Sequence, residues 1–244
     1  MKGMRGRQYR DDPRAVEAIR RCESLVHEWH RQIAVLQGRL IKIAVSAIGE
    51  GDAPRAADVR ACIEETLSLD SHFVGAGFVS GHPQIRSSGG GMVWWQLRER
   101  EGGAQLQPLD ADQTGVGDYQ HGFDDSEWYS VPLRTGAACM VGPYVDYLCT
   151  DDFTLTFSAP VLIDGEFFGI VGVDVIVRDI ERDLDGLLER IDANAVLLAN
   201  GRSIVVSRDP DFETGRRLTR EALEKFEIWS IAGTAFSLGL PRSG

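Results

Sequence analysis

The residues best suited to chemistry fall between positions 121 and 174. Trp128-Tyr129 follows Ser126-Glu127, Tyr144 stands two places before Asp146, and Asp174 closes an apolar run. Asp146 and Asp174 offer two negative charges to an ammonium group. Trp128, Tyr129 and Tyr144 are fit to box its alkyl part, each ring adding about 0.5–2 kcal/mol of cation–π attraction. That combination favours an amine or a zwitterion over a simple carboxylate. The direction of Arg98 and Arg134 decides whether a carboxylate is held as well. Each group also has a plainer reading. Trp128 and Tyr129 suit a core, Asp146 suits a turn, and Asp174 suits the cap of a following helix.

Other catalytic patterns are missing from the chain. His27 and His30 flank Glu28 without the His-Glu-x-x-His spacing of a zinc protease, and they read as a solvated helix face. Gly89-Gly90-Gly91 has no following Lys-Ser or Lys-Thr, so it is no phosphate loop. There is no Gly-x-Ser-x-Gly for a hydrolase. No cofactor or metal is expected. An enzyme on a small amine or acid would have to use His121, Asp146 and Asp174 as general acid and base.

The elements that must position these residues are legible in turn. Asp12 caps and Pro13 opens a helix over 13–48. Its apolar residues Ile19, Cys22, Val26, Trp29, Ile33, Leu36, Leu40, Ile43 and Ala47 alternate by three and four. This is a coiled-coil seam pattern on a helix roughly 50 Å long. The stripe serves either a second copy of the chain or the protein's own sheet. Gly49 and Gly51 end it, and a second helix from near Pro54 carries Val59, Ile63 and Leu67.

Residues 72–80 and 92–98 read as a strand pair. Gly75 and Gly77 share one face, so something approaches the backbone there. Trp94 and Trp95 point to opposite faces. Residues 99–125 read as a long polar loop with room for short helical turns. Asp164-Gly165 joins the strands on either side of it in a hairpin, because both central residues tolerate positive φ. A helix over 179–191 carries Ile180, Leu184, Leu187, Leu188 and Ile191 on one stripe. Asn200-Gly201 and Gly233 mark two more hairpins, with a short helix after Thr219. Tightly joined strands imply antiparallel pairing and an α+β class. The expected architecture is a long N-terminal helix packed on an antiparallel sheet, then a smaller second α+β lobe. The divisions fall at 1–50 (helix and dimerisation seam), 51–178 (ligand-binding lobe) and 179–244 (linking helix and second lobe).

Bulk properties narrow the partners. Apolar residues make up 43% and charged residues 26%, ordinary for a globular chain, and the net charge of -11 argues against nucleic acid. No apolar run approaches the ~20 residues of a membrane span. The basic start lacks the apolar core of a signal peptide, so a cytoplasmic location is expected. Cys22, Cys62, Cys139 and Cys149 show no Cys-x-x-Cys spacing and read as buried thiols.

The order of features resembles the Cache sensor family, also called the PDC fold. A long helix precedes Phe-Val-Gly-Ala-Gly-Phe-Val at 73–79. Then come Trp94-Trp95, Trp128-Tyr129, Pro143-Tyr144, Thr154–Pro160, Gly165 and Gly169-Ile-Val-Gly-Val-Asp174. The likeness covers about residues 20–180, and Leu197–Ser207 looks like the start of a reduced second lobe of a double Cache module. The resemblance implies a pocket for a small metabolite, often an amino acid, amine or carboxylate. Most such domains sit outside a membrane and signal through it. Without a span or an attached kinase, cyclase or methyl-accepting region, this chain is expected to be a free-standing soluble member.

In amino-acid-sensing members a Tyr, an Arg-x-Trp-Tyr, a later Tyr and a late Asp line the pocket. The Arg, Trp and first Tyr hold the ligand carboxylate; the later Tyr and Asp hold its amine. The resemblance places Trp128, Tyr129, Tyr144 and Asp174 in these roles. It puts Ser126 where the Arg belongs and His121 where the first Tyr belongs. A hydroxyl poorly replaces a bidentate guanidinium. The expected ligand set is therefore Trp95, His121, Ser126, Trp128, Tyr129, Tyr144, Asp146 and Asp174. The expected function is a non-enzymatic, dimeric sensor of an amine or amino acid. The alternatives are the enzyme above, or an interaction protein whose helix seam engages a regulatory partner beside a vestigial pocket.

Overall fold

The computed structural model of the chain describes residues 12–52, 54–67, 72–81, 91–100, 103–109, 123–145, 152–209 and 211–242. The chain divides into two compact units. One is Ile33–Val141 with Asp146–Ile176; the other is Met1–Gln32 with Gly142–Val145 and Val177–Gly244.

Helix α1, Pro13–Gly49, runs through both. Pro13 occupies its first turn, where no amide donor is needed, and the Asp12 carboxylate accepts from the Arg14 amide at 2.8 Å. The stripe expected to serve as a dimer seam is spent inside the fold. Ile19, Cys22, Val26, Trp29, Ile33, Leu36 and Leu40 are all buried within the chain, so they are not free to meet a second copy. A coiled-coil seam and a core-facing stripe share the same three–four spacing, and here the core took it.

The same helix holds an 18-residue window of mean hydropathy 1.2, long and apolar enough by length and composition to cross a membrane, with 28% of the window buried. This corrects the expectation that no apolar run approaches the length of a membrane span. Within the first unit Leu36, Leu40 and Ala44 are buried, and the Gln37 amide donates to the Phe157 carbonyl at 3.0 Å. Those are the contacts of a helix laid on a sheet.

Helix α2, Ala56–Leu67, buries Val59 and Ile63. The six-stranded sheet contains β1 (Phe73–Ser80), β2 (Met92–Arg100), β3 (Gly103–Pro108), β4 (Cys139–Val145), β5 (Phe153–Ile163) and β6 (Glu166–Ile176), all in this unit except Gly142–Val145 of β4. Their order is β3-β2-β1-β6-β5-β4. β1 pairs antiparallel with β2 and β6, β2 with β3, and β5 with β6. The β5–β6 turn has φ of 52° at Asp164 and 84° at Gly165, as that dipeptide predicts. One strand differs from the expected loop over 99–125, and one helix follows it. β3 adds an edge strand, polar enough (Gln105, Gln107) to hide its alternation. Helix α3, Glu127–Thr135, follows a 3-10 turn at Phe123–Asp125. Pro132 within the helix concealed it from sequence, since a proline argues against helix interior. Gly136 in the left-handed region ends it.

The second unit holds α4 (Val177–Ile191) and a four-stranded antiparallel sheet. Its strands are β7 (Val196–Ala199), β8 (Ser203–Ser207), β9 (Phe226–Ser230) and β10 (Phe236–Pro241), in the order β8-β7-β10-β9. A short helix, α5 (Arg220–Glu224), is capped by Thr219 Oγ1, which accepts from the Ala222 amide at 3.2 Å. Val196, Leu198, Ile204, Leu218 and Phe226 form its core. The class is α+β, with a long N-terminal helix and antiparallel sheets.

Candidate functional site

The two faces of the six-stranded sheet are chemically unlike. On β5 the residues Leu155, Phe157, Ala159 and Val161 alternate with Thr154, Thr156 and Ser158, and all seven are buried. On β6 the apolar Val171, Val173 and Val175 alternate with Gly172 and Asp174. Register then assembles rows across the strands, because directly opposed residues point to the same side. One row reads Gln96, Gly75, Asp174, Thr156; the next reads Trp94, Gly77, Gly172, Ser158. So one face is apolar and the other gathers hydroxyls, glycines, an amide, a carboxylate and an indole.

Asp174 is 5% exposed, and its Oδ1 accepts from the Thr156 hydroxyl at 2.7 Å. Fixing a buried carboxylate by a charge-assisted bond costs no later reorganisation when a ligand arrives. The glycines beside it are cleared for one ring. A Cβ on Gly77 would fall 2.9 Å from Trp94 Cε3, and one on Gly172 would fall 2.6 Å from Trp94 Cη2. Something was expected to approach the backbone at Gly75 and Gly77; it is the Trp94 indole.

Aromatic side chains from α3 complete this face. Trp94, Tyr129, Val79 and Ile170 form a buried cluster, with Phe123, Trp128 and Phe167 packed against it. The Trp94 and Trp128 rings are centred 6.5 Å apart, and Tyr129 meets Phe123 at 4.9 Å and Phe167 at 5.9 Å. Edge and tilted contacts of this kind add about 0.5–1.5 kcal/mol each beyond burial. Trp128 is half-buried, whereas Tyr129 is enclosed by the cluster.

The structure thus brings Asp174 into the same unit, on the same sheet face, as the Trp128–Tyr129 cluster. Ser126 is half-buried at the N-cap of α3, where its side chain makes no capping bond. Tyr144 is half-buried on β4. Asp146 and His121 lie outside the described residues.

Trp95 is not on the face that carries Asp174 and Trp94. It points to the opposite face, where its Nε1 donates to the Ala56 carbonyl at 3.1 Å and the Arg60 guanidinium lies 5.2 Å above its ring. Sequence alternation separates Trp94 from Trp95 but does not say which face carries the polar rows. Arg98 turns to the polar side. With the Gln96 amide oxygen turned toward it, Oε1 accepts from Arg98 Nε and Nη2, both at 2.9 Å. Arg134 is exposed in the last turn of α3.

Cys139 Sγ lies 3.2 Å from Ser158 Oγ, and burial pushes its thiol up. A raised thiol is a poor nucleophile. Among the described residues no cluster of His, Cys, Asp and Glu could hold a metal ion. In the second unit a groove of about 580 Å³ is lined by Arg14, Glu17, Arg21 and Arg190.

Residues 61–182, half of the 244, match the family described as the methyl-accepting chemotaxis protein-like, first PDC sensor domain. No match was found among curated proteins. Solved structures share the fold at low identity. The extracellular domain of the histidine kinase mmHK1S-Z3 is similar with a TM-score of 0.60 at 15% identity, over 90% of this chain and 88% of that one. The ligand-binding domain of the Pseudomonas fluorescens chemoreceptor CtaA, solved with L-valine, gives 0.54 at 16%, over 91% and 90%. That of the Pseudomonas aeruginosa PAO1 amino-acid chemoreceptor PctC, solved with GABA, gives 0.54 at 17%, over 91% and 94%. The chain belongs to the PDC sensor-domain family, among the first PDC domains of the methyl-accepting chemotaxis protein type.

Proposed function

We propose that this chain is a sensor that binds a small amine-containing metabolite, an amine or an amino acid, on the polar face of its six-stranded sheet. One observation carries this: a buried carboxylate, Asp174, held by Thr156 on strands cleared by glycine, on the sheet face that the α3 aromatics cover. A ligand ammonium would bind Asp174, and the aromatic cluster would take its alkyl part. The relatives solved with L-valine and GABA support the choice of ligand class.

Signalling in this proposal is a population shift, in which the ligand prefers one of two arrangements of a dimer. The dimer contact is assigned to the outward face of α1, where Val35 is 49% exposed and Ala34, Gly38, Ile41 and Val45 flank it.

A thermal-shift screen of amines and amino acids tests the function. A ligand that binds only the folded state at one hundred times its Kd adds about 2.7 kcal/mol of stability, so the melting temperature must rise. The proposal fails if no amine or amino acid raises it, or if Asp174→Ala leaves a found shift intact.

A further inference from the structure

The indole of Trp94 carries a buried donor without a partner. Trp94 is 5% exposed, and its Nε1 makes no hydrogen bond among the described residues. Buried N–H groups are nearly always paired. Among the described residues, Gln32 Oε1 and Ser237 Oγ are also buried without a hydrogen bond, and both belong to the second unit. The adjacent Trp95 has its own acceptor, the Ala56 carbonyl.

The position of the Trp94 nitrogen is specific. A Cβ on Gly75 would lie 3.0 Å from Trp94 Nε1 and 3.1 Å from Asp174 Oδ2. A donor and an acceptor therefore both border the position that a side chain on this glycine would fill. The ring is fixed in that pose, since it lies over Gly77 and Gly172 and packs beside Trp128.

We propose that Trp94 Nε1–H contacts the ligand, and that the Trp94–Asp174 pair selects α-amino acids over simple amines. This rests on the sensor function proposed above. An indole nitrogen only donates, and a carboxylate only accepts. An ammonium satisfies Asp174 but offers nothing to Trp94. An α-amino acid satisfies both, with its ammonium on Asp174 and a carboxylate oxygen on the indole. Ser126 supplies no guanidinium for that carboxylate, so the indole N–H takes over part of the contact. Arg98, bonded to Gln96 in the row of Gly75 and Asp174, adds positive charge on the same face.

The test pairs each α-amino acid with the amine left on removing its carboxylate, for example L-valine with isobutylamine, and reads melting temperature and calorimetric affinity. Amino acids are expected to bind at least about tenfold more tightly than their amines, a difference of about 1.4 kcal/mol. Trp94→Phe should keep a ring over Gly77 and Gly172 while erasing that preference. Should Trp94→Phe fold poorly, the wild-type indole N–H resonances decide. Trp94 N–H must move downfield and exchange more slowly with an amino acid than with its amine. If both ligands bind equally, if Trp94→Phe keeps the preference, or if the Trp94 resonance stays still, the inference falls and the sensor function stands. If neither ligand class binds, both fall.

Discussion

The Trp94 ring lies where Gly172 would carry a side chain, with Cη2 2.6 Å from an ideal Cβ and Cζ3 at 3.0 Å. The next nearest atom is Ile170 Cδ1 at 3.6 Å, so the closest contacts are all with side chains. At Gly77 the obstacle is different, because a Cβ would fall 2.2 Å from the Val93 carbonyl oxygen. Gly172→Ala is therefore expected to move the indole, and Gly77→Ala to break strand pairing. In urea denaturation Gly77→Ala should lose more than the about 1–3 kcal/mol usual for overpacking. Gly172→Ala should stay within that range, yet lose the ligand-induced thermal shift. Equal stabilities, or an intact ligand response in Gly172→Ala, would show that the ring is not held by these glycines.

Thr156 and Asp174 make the next prediction. Thr156→Val keeps the shape but leaves Asp174 Oδ1 without this donor. Losing a bond to a buried charged group costs about 1–3 kcal/mol. Denaturation should show that loss, and ligand affinity should fall by less than in Asp174→Ala, since the carboxylate is still present. A stability unchanged within a few tenths of a kcal/mol would mean that another donor replaces the hydroxyl.

Much of this face was legible in the sequence, and its failures have physical causes. Asp164-Gly165 and Asn200-Gly201 announce their turns, because few other pairs accept positive φ twice. Gly75 and Gly77 marked a close approach, and Trp94 and Trp95 were rightly set on opposite faces. Grouping Trp95 with Asp174 did not match the sheet, because both of its faces are covered and side-chain alternation carries no sign. α3 was hidden by Pro132, and β3 by its polar edge composition. The α1 stripe was ambiguous in principle, since packing on a sheet and pairing with a second helix demand the same spacing.

Trp95 supplies a control. Trp95→Phe removes the bond to Ala56 and weakens the contact with Arg60 on α2. A net loss of about 0.5–1.5 kcal/mol is expected for the hydrogen bond, with no change in ligand response. A lost response at wild-type stability would return Trp95 to the site.

The outward face of α1 yields a solution test. Val35→Asp places a charge at the centre of the proposed dimer contact and touches none of the buried stripe. Light scattering should find a dimer for the native chain and a monomer for the variant, with melting temperature little changed at low concentration. A native monomer, or a Val35→Asp dimer, would remove this contact from the mechanism. Truncating α1 is no substitute, because Leu36, Leu40 and Ala44 belong to the core.

Cys22 links burial to pH. It is fully buried in α1, and burial pushes its thiol from 9.0 up to about 12, with the Glu23 charge adding to the shift. At pH 8 only about one such thiol in ten thousand is ionised, so a disulfide reagent should leave Cys22 untouched until urea is added. The sign for stability follows. In the unfolded chain the thiol ionises from its ordinary value; in the folded chain it stays protonated. Its contribution is whole below pH 9.0 and is lost as pH rises toward about 12. The loss approaches about 1.4 kcal/mol per pH unit within that window. Denaturation at pH 8 and pH 10 should show the native chain losing more stability than Cys22→Ala does over the same interval. An equal loss in both chains would mean that the thiol ionises as readily folded as unfolded.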